Sequence, residues 1–417
     1  MPTAGFPSRS ATPTLFDLAA RSLTHAGVFA LADDQQAVLD RVRRCLADKD
    51  GVRAAVVVAG AAGTGKSALA LTLLGEAVRA GYRARHATGS QAFTTALRKT
   101  AGHGSRQNQK LFQYFGTAAD TDPDSLDLLV CDDAHRMRAT SNTRYTPASR
   151  RSDRTQAAQL LEAARVVVFL LDEDQAIRPG QLGTRQYLAT AASACGAAVH
   201  TIELTSQHRH RSVRYDSWVR RFLGLDDTPC LPTSWNADEE PVPRFELQVA
   251  DSPGEMEQQL LRARTDLGAS TRMTAGLCWP WSEARPGNPL VDDIVIGDWR
   301  RPWSVQGQRA VNGLPPSPLW AIDPAGAGQV GNVYSAQGFE YDYGGVILGP
   351  DLLWRDNRWV TDPAATRDDT LDGAPAADVD LWVRRTYRVL LTRARAGTVL
   401  YSTDADTRAL LHDLIDT

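Results

Sequence analysis

Short apolar runs, separated by polar segments with helical spacing, are the dominant pattern in this chain. An apolar run without alternation is typical of a strand that is buried on both faces of a parallel sheet. We therefore predict core strands at Ala54–Ala59, Leu126–Cys131, Val166–Leu171, Val291–Ile296, Gly345–Leu348 and Thr398–Tyr401. Because helical segments such as 154–165 lie between several of them, the pattern predicts a doubly wound α/β arrangement that occurs twice.

The polar segments predict where helices and loops interrupt these strands. Residues 21–48 have helical spacing, and Asp33 or Asp34 is expected to cap that helix. Residues 1–20 lack an apolar core and are expected to form a disordered tail rather than a secretory signal. Irregular structure is expected at 139–155, 224–256 and 301–330.

At 417 residues the chain is too long for one ordinary core, and we expect two domains, 21–200 and 201–417. No apolar stretch reaches the length of about 18 residues that marks a membrane helix, so no membrane partner is expected. The five cysteines include no C-x-x-C pair, which argues against a zinc site or a disulfide framework and favours the reducing cytoplasm. The formal net charge is −3, so any nucleic-acid binding must use a local basic patch.

The sequence GAAGTGKS, at residues 60–67, lies between the first predicted strand and an apolar helical stretch. Strand, glycine loop and helix, in that order, are the context that a phosphate-binding loop requires. The glycines let the backbone direct N–H groups inward, and the helix start adds partial positive charge. Lys66 is expected to reach the β- and γ-phosphates of ATP, and Ser67 to ligate Mg²⁺. An ordinary glycine-rich turn is the alternative. The predicted nucleotide-binding residues of this loop are Gly60, Gly63, Thr64, Gly65, Lys66 and Ser67.

Polar side chains follow two of the later strands. Asp132 and Asp133 come directly after Leu126–Cys131, where a Mg²⁺ ligand of a nucleotide site belongs. We assign Asp132 to Mg²⁺ and Asp133 to the attacking water, with an acidic surface loop as the alternative. Gln175 follows the next strand and is a candidate sensor of the γ-phosphate. Gln35 could bind an adenine edge through its two-sided amide, although a solvated helix glutamine is the plainer interpretation.

The second half of the chain carries three further motifs. Arg209, in LTSQHR, and Arg393, in LTRA, are candidate arginine fingers, although a single arginine more often forms a surface ion pair. Gln337, Gly338 and Glu340, in QGFE, precede another predicted strand.

Taken together and in this order, the motifs resemble those of superfamily 1 helicases. The strings AGLCWPW, QGFEYDY and YRVLLTR are similar to C-terminal signatures of the Schlafen-group DNA/RNA helicase domain family, found in bacterial ATPases. The resemblance runs from about residue 25 to residue 411. It implies two RecA-like P-loop domains with ATP between them.

The resemblance also implies roles for residues of the second half. Arg209 and Arg393 would reach the γ-phosphate, and Gln337 and Glu340 would lie near the ribose and phosphates. One departure bears on rate, because Asp133 stands where the family more usually has Glu, and a retracted carboxylate can slow hydrolysis.

Three functions remain open at this point. The first is an ATP-driven helicase or translocase on single-stranded DNA or RNA. The second is a nucleotide-switched ATPase that acts on a protein partner, for example in bacterial defence. The third is a degenerate ATP-binding module without turnover. The arginines between Arg136 and Arg154 could track a phosphate backbone or form a solvated loop, and Trp279 and Trp281 could stack on bases or lie in the core.

Overall fold

The computed structural model describes residues 13–48, 50–102, 104–143, 146–206, 213–226, 231–236 and 244–415. These residues form two compact units. The first unit consists of Pro13–Ala176 and Gly180–Ser206, whereas Ile177–Pro179 belongs with the residues that follow Ser206. Among the described residues, no helix is long and apolar enough to cross a bilayer.

A parallel sheet lies at the centre of the first unit. Its strands are β1 (Ala54–Gly60), β2 (Ala84–Thr88), β3 (Phe112–Tyr114), β4 (Leu126–Asp132), β5 (Ala164–Leu171) and β6 (Ala198–Leu204). All pairs are parallel, in the order β3-β2-β4-β5-β1-β6. The strands β1, β4 and β5 are almost entirely buried, as their apolar runs predict.

Helices pack against this sheet and connect its strands. They are α1 (Leu15–Thr24), α2 (Asp33–Ala47), α3 (Lys66–Arg79), α4 (Gln91–Thr100), α5 (Arg106–Gln109), α6 (Phe115–Ala118), α7 (Gln156–Ala163) and α8 (Arg185–Ala194). The helix predicted over 21–48 is two helices, and α2 starts after Ala32 without a side-chain cap from either aspartate.

The predicted disordered tail of residues 1–20 is too long. A reciprocal pair of hydrogen bonds between Thr14 and Asp17 starts α1 at Leu15. Phe16, Ala19 and Leu23 are buried on one face of this helix, so residues from Leu15 onward belong to the packed unit. Residues 1–12 lie outside the described residues.

A second parallel sheet lies in the second unit. Its strands are β7 (Glu246–Val249), β8 (Thr271–Ala275), β11 (Val330–Gly331), β12 (Tyr341–Leu348) and β15 (Ala394–Ser402). Two antiparallel hairpins lie outside this sheet. One pairs β9 (Ile294–Ile296) with β10 (Trp299–Arg301), and the other pairs β13 (Leu352–Arg355) with β14 (Arg358–Thr361). The sheet order is β11-β8-β12-β15-β7. The helices of this unit are α9 (Val213–Phe222), α10 (Pro253–Leu267), α11 (Val333–Ala336), α12 (Ala376–Leu391) and α13 (Ala405–Ile415).

The predicted α/β class, with parallel sheets flanked by helices, is confirmed. One predicted core strand is wrong, because Val291–Ile296 contributes only the short β9 to a hairpin, and its acidic first half is not in a strand. The core strand that the apolar pattern did not predict is β8, which lies between β11 and β12. Its polar residues interrupt any apolar run. Arg272 is buried in β8 because its guanidinium donates to the carbonyl oxygens of Trp320 (2.9 Å) and Asp323 (2.7 Å). The segment 224–256, expected to be irregular, contains β7 and the start of α10.

Candidate functional site

The loop from Gly60 to Gly65 turns tightly between β1 and α3. Gly63 and Gly65 have φ angles of 86° and 74°, in the left-handed region that favours glycine. A Cβ atom on Gly60 would lie 2.6 Å from the Thr64 hydroxyl oxygen. The conformation of the loop therefore accounts for all three glycines. The loop leads directly into the N-terminus of α3, and the N-terminus of a helix favours anions.

Lys66 is the first residue of α3, and its ammonium bends back toward the loop. Its Nζ atom donates hydrogen bonds to the carbonyl oxygens of Gly60 (2.8 Å) and Ala61 (2.7 Å). Because both of these acceptors are neutral, a phosphate oxygen would compete well for the ammonium as a charge-assisted partner.

Asp132 ends β4 and is almost fully buried. Burial on its own would raise the pKa of its carboxyl, but His86, the Ser67 hydroxyl and the Asp133 N–H together hold the pKa below its usual value. The carboxylate is therefore ionised at neutral pH. Its Oδ2 atom accepts no hydrogen bond from the described residues. An ionised carboxylate beside a serine hydroxyl is an oxygen donor set that fits Mg²⁺.

His86 lies in β2 beside this carboxylate, and sequence reasoning missed it. The ring is fully buried, with Nε2 3.7 Å from Asp132 Oδ2, and it packs near Phe93 and Phe112. The pairing of β2 with β4 would have indicated this position. Thr88, two residues after His86 in β2, lies opposite Asp132.

Asp133 follows with a φ angle of 53°. Asp and Asn tolerate this left-handed conformation better than other residues with a side chain. The Thr88 hydroxyl donates a long hydrogen bond to Asp133 Oδ2 (3.5 Å), and the Asp133 N–H donates to Asp132 Oδ1 (3.0 Å). The turn thus places two adjacent carboxylates at the carboxyl end of β4.

His135 lies in the same turn and is surrounded by site residues. Burial, followed by the charge of Arg136, lowers the pKa of His135 to about 3, and the charge of Lys66 acts in the same direction. The carboxylates of Asp172 and Asp132 oppose this shift. The charges that act on this buried ring come from the start of α3, from the turn after β4 and from the end of β5, so these three parts of the first unit lie near one another.

Gln175 lies in the turn that follows β5. The Asp172 carboxylate fixes this turn, because it accepts hydrogen bonds from the Asp174 N–H (3.2 Å) and from Gln175 Nε2 (2.9 Å). Both Asp172 and Gln175 are buried. The side chain of Gln175, the candidate sensor of the γ-phosphate, is therefore held in place by the Asp172 carboxylate.

Gln35 does not present a solvated amide. Its Nε2 atom donates to the Thr64 carbonyl (2.9 Å), and its Oε1 atom accepts from the Ala32 N–H (3.0 Å). The side chain is 2% exposed. The structure thus uses this amide to join the start of α2 to the phosphate loop, so an adenine edge would have to replace these bonds.

In the second unit, Glu340 and Arg393 lie at neighbouring strand starts. Glu340 precedes β12 and Arg393 precedes β15, and the first residues of these strands, Tyr341 and Ala394, are paired. The Arg393 guanidinium is buried and bonds to the Val389 carbonyl (2.8 Å) and the Thr392 hydroxyl (3.1 Å). Gln337 is fully buried and ends α11, and Gly338 follows with a φ angle of 93°. Arg209 lies outside the described residues.

The structure also bears on the candidate nucleic-acid contacts. Arg136 is buried, so it is not a solvated cation of the loop after β4, whereas Arg154 is exposed and pairs with Glu162. Arg138 and Arg151 remain partly or fully exposed there. Trp281 donates from Nε1 to the Ser304 carbonyl (2.8 Å) and packs with Trp279 against the core, as the second interpretation of these tryptophans expects.

The carboxyl ends of β8 and β12 carry a buried polar cluster, which comprises Cys278, Asp351 and Tyr387. The Tyr387 hydroxyl donates to Asp351 and accepts from the Gly349 N–H (2.8 Å). Burial raises the pKa of Asp351, although its bonds to Tyr387 and Cys278 oppose the shift. A Cβ atom on Gly276 would lie 2.0 Å from the Tyr387 hydroxyl oxygen, so the phenol packs directly on the backbone.

Comparison with protein families gives one match over most of the chain. The family model described as Schlafen group 3, DNA/RNA helicase domain, matches residues 53–404. No curated protein matches the chain.

Solved structures that resemble the chain include helicases and replication initiators. A Pif1 helicase from Candida albicans is 12% identical with a TM-score of 0.37, and the match covers 93% of this chain and 100% of that one. DnaA from Aquifex aeolicus with bound AMPPCP is 17% identical with a TM-score of 0.24, and the match covers 48% of this chain and 56% of that one. A DNA replication initiation factor is matched over 55% of its length, so the chain spans about half of these initiator structures.

Proposed function

The chain belongs to the Schlafen group 3 DNA/RNA helicase domain family, and on this basis we propose that it is a Mg²⁺-dependent ATPase that moves along single-stranded DNA or RNA in the cytoplasm. Membership of the family supports a helicase-type activity that is driven by a nucleotide. The chemistry of the site supports ATP hydrolysis as the driving reaction.

The observation that carries the proposal is the arrangement of Lys66, Ser67 and Asp132. A lysine and a serine open α3, and the serine hydroxyl bonds to a buried carboxylate that stays ionised. These are the groups that hold a metal-bound triphosphate in P-loop enzymes. A glycine-rich turn without this function would not need a buried carboxylate with an unpaired oxygen beside it.

In the proposed reaction, the loop amides and Lys66 hold the phosphates while Asp133 orients or deprotonates the attacking water. Bound by Ser67 and Asp132, Mg²⁺ would neutralise charge on the phosphate oxygens. Gln175 would sense the γ-phosphate. The remaining proposed nucleotide contacts are Gln35, Gly60, Gly63, Thr64, Gly65, Gln337, Gly338 and Glu340, with Arg209 and Arg393 as the fingers.

The test is the ATPase rate with and without single-stranded DNA or RNA, over a salt series with Mg²⁺ present or chelated. We expect Mg²⁺-dependent turnover that nucleic acid stimulates, and a stimulation that falls steeply with salt because phosphate contacts release counterions. Turnover without any response to nucleic acid would favour an ATPase that acts on a protein partner. ATP binding without turnover would indicate a degenerate module, and a Lys66→Ala variant as fast as the parent would show that the site is misassigned.

The contribution of the second unit is tested by a matched pair of arginine variants. Arg393→Ala is expected to lower kcat by about 10³-fold, as loss of an arginine finger does. Arg395→Ala removes a nearby, largely buried guanidinium that pairs with Asp342 (2.7 Å), so it is expected to lower stability but to leave kcat of the folded protein within about twofold. Equal rates in the two variants would remove Arg393 from the proposed machinery.

A further inference from the structure

The strand β2 presents two polar side chains to the carboxylates at the end of β4. His86 and Thr88 are two residues apart, and residues at this spacing lie on the same face of a strand. Thr88 lies opposite Asp132 in the parallel pairing of the two strands, and its hydroxyl donates to Asp133 Oδ2 (3.5 Å). The His86 Nε2 atom lies 3.7 Å from Asp132 Oδ2. Each of the two adjacent carboxylates therefore has its own polar neighbour in β2.

The main chain at His86 is fixed by the sheet of the first unit. The strand β2 lies between β3 and β4, so His86 is paired with Phe112 on one side and with Val130 on the other. Its backbone N–H donates to the Leu111 carbonyl (2.8 Å). The imidazole contacts the Phe112 ring edge-on, with 5.8 Å between the ring centroids, and its centroid lies 6.4 Å from that of Phe93. The fold thus sets the position of the imidazole.

Packing alone does not account for a histidine at this position. His86 is 0% exposed, and neither of its ring nitrogens has a hydrogen-bond partner among the described residues. An unpaired buried polar atom costs about 1–3 kcal/mol, so an apolar side chain of similar size would pack at lower cost. A carboxylate oxygen can only accept, and we therefore assign the ring proton to the Nε2 atom that faces Asp132. The ring directs this N–H group at the carboxylate from just beyond hydrogen-bonding distance.

We propose that His86 is a positioning residue for the proposed metal ligand Asp132, and that it holds this carboxylate in the orientation in which Asp132 and Ser67 bind Mg²⁺. The inference rests on the proposed Mg²⁺-dependent ATPase function. A side chain that adjoins a metal ligand, and not the metal itself, fixes the orientation of that ligand before the ion binds. Loss of such a neighbour lowers metal affinity or activity by about 10- to 100-fold.

Phe112 provides a matched control for packing. It is buried, it is paired with His86 in the sheet, and its ring contacts the imidazole, but it has no polar side-chain atom. Phe112→Leu therefore loosens the surroundings of the imidazole and leaves its nitrogens in place. His86→Leu keeps a similar volume and removes both nitrogens. His86→Gln provides an N–H donor with about the reach of Nε2, so it tests whether Asp132 requires a donor.

The experiment measures the Kd of a non-hydrolysable ATP analogue for the full chain, once with Mg²⁺ and once with EDTA. Thermal unfolding shows that each variant is folded. In the parent we expect Mg²⁺ to strengthen analogue binding, and in His86→Leu we expect this gain in affinity to be about tenfold smaller. The Kd in EDTA should stay within about threefold of the parent, because Lys66 and the loop glycines are unchanged. His86→Gln and Phe112→Leu should stay within about threefold of the parent in both conditions.

If His86→Leu does not fold, His86→Phe gives the same comparison with the aromatic contacts kept. A His86→Leu variant that gains as much affinity from Mg²⁺ as the parent would overturn the inference alone. An equal loss in Phe112→Leu or in His86→Gln would also overturn it, because packing or the ring itself, rather than a donor, would then be responsible. A parent whose analogue Kd is the same with Mg²⁺ and with EDTA would overturn the proposed Mg²⁺ chemistry, and the inference with it.

Discussion

Asp133 combines a proposed catalytic role with a backbone conformation that few side chains tolerate. Its φ angle of 53° suits aspartate and asparagine because their short side chains can interact with the local backbone. A glutamate in this position would gain reach but would lack that local stabilisation. The backbone thus gives a physical reason for an aspartate, rather than a glutamate, at this position.

This conformation makes Asp133→Asn a clean test of the carboxylate. Asparagine keeps the size and tolerates the same φ angle, so only the charge and the basicity change. We expect kcat to fall by about 10²-fold or more, which is the range for removal of a general base, while ATP affinity stays within about threefold. Steady-state ATPase assays and analogue binding measure the two quantities. A variant with the parent's kcat would show that the water is activated by another group.

His135 predicts that acid weakens the folded state. The pKa of the buried ring is lowered to about 3 by burial and by the charge of Arg136, so the ring stays neutral in the folded chain above that pH. In the unfolded chain the ring takes up a proton as the pH falls through about 6.5, and this stabilises the unfolded state. Between pH 7.5 and 5.5 the free energy of unfolding should fall by about 1.4 kcal/mol from this residue alone.

Denaturant unfolding of the parent and of His135→Gln at both pH values measures this effect. The change in unfolding free energy between the two pH values should be smaller in the variant by about 1.4 kcal/mol, since other titrating groups are common to both proteins. The same pH dependence in both proteins would mean that the ring takes up a proton as readily in the folded state as in the unfolded state.

The sequence predicts a set of residues for the candidate site, but it predicts little about the bonds that these residues make. The glycine loop and the aspartates after β4 are motifs whose residue types follow from the chemistry of phosphate and Mg²⁺. The internal bonds of Gln35 and the position of His86 depend on strands and helices that are far apart in the chain. Such contacts depend on register and packing, which a single sequence does not encode locally.

At the scale of elements, the contact between α1 and α3 depends on one glycine. A Cβ atom on Gly75 of α3 would lie 2.0 Å from the Ser22 carbonyl oxygen of α1. Alanine is the better helix former by about 1 kcal/mol, but overpacking against backbone costs about 1–3 kcal/mol. We therefore expect Gly75→Ala to lower the melting temperature.

The control for this substitution is Gly254→Ala in α10. A Cβ atom there would have no neighbour closer than 3.8 Å, so the helix propensity acts alone and we expect no loss of stability. Thermal unfolding of both variants measures the difference. A Gly75→Ala variant as stable as the parent would show that α1 can shift without cost.

The strands show where an apolar pattern predicts an element and where it does not. The four runs at β1, β4, β5 and β12 are buried along both faces, and their sequences are correspondingly apolar. The strand β8 contains two threonines and an arginine and is equally buried, because carbonyl groups outside the strand satisfy the guanidinium. Burial of a charged residue with its own partners is a tertiary effect, so hydrophobicity alone could not predict β8.

For the whole molecule, the apolar pattern predicts two α/β domains, with the boundary between them near residue 200. The structure has two compact units, and the chain passes between them after Ser206. The three residues Ile177–Pro179 also belong with the second unit, although the residues on either side belong with the first. No composition shift marks this short segment, because its assignment depends on packing rather than on local sequence.

The packing of Tyr387 on Gly276 has a consequence for the number of nucleotides that one chain can take up. In the first sheet, the carboxyl end of β1 leads into a glycine loop, whereas in the second sheet the same edge is filled by the phenol and its carboxyl partner. Calorimetric titration with a non-hydrolysable ATP analogue should therefore saturate at one equivalent per chain. A stoichiometry of two would require the aromatic ring to leave the core.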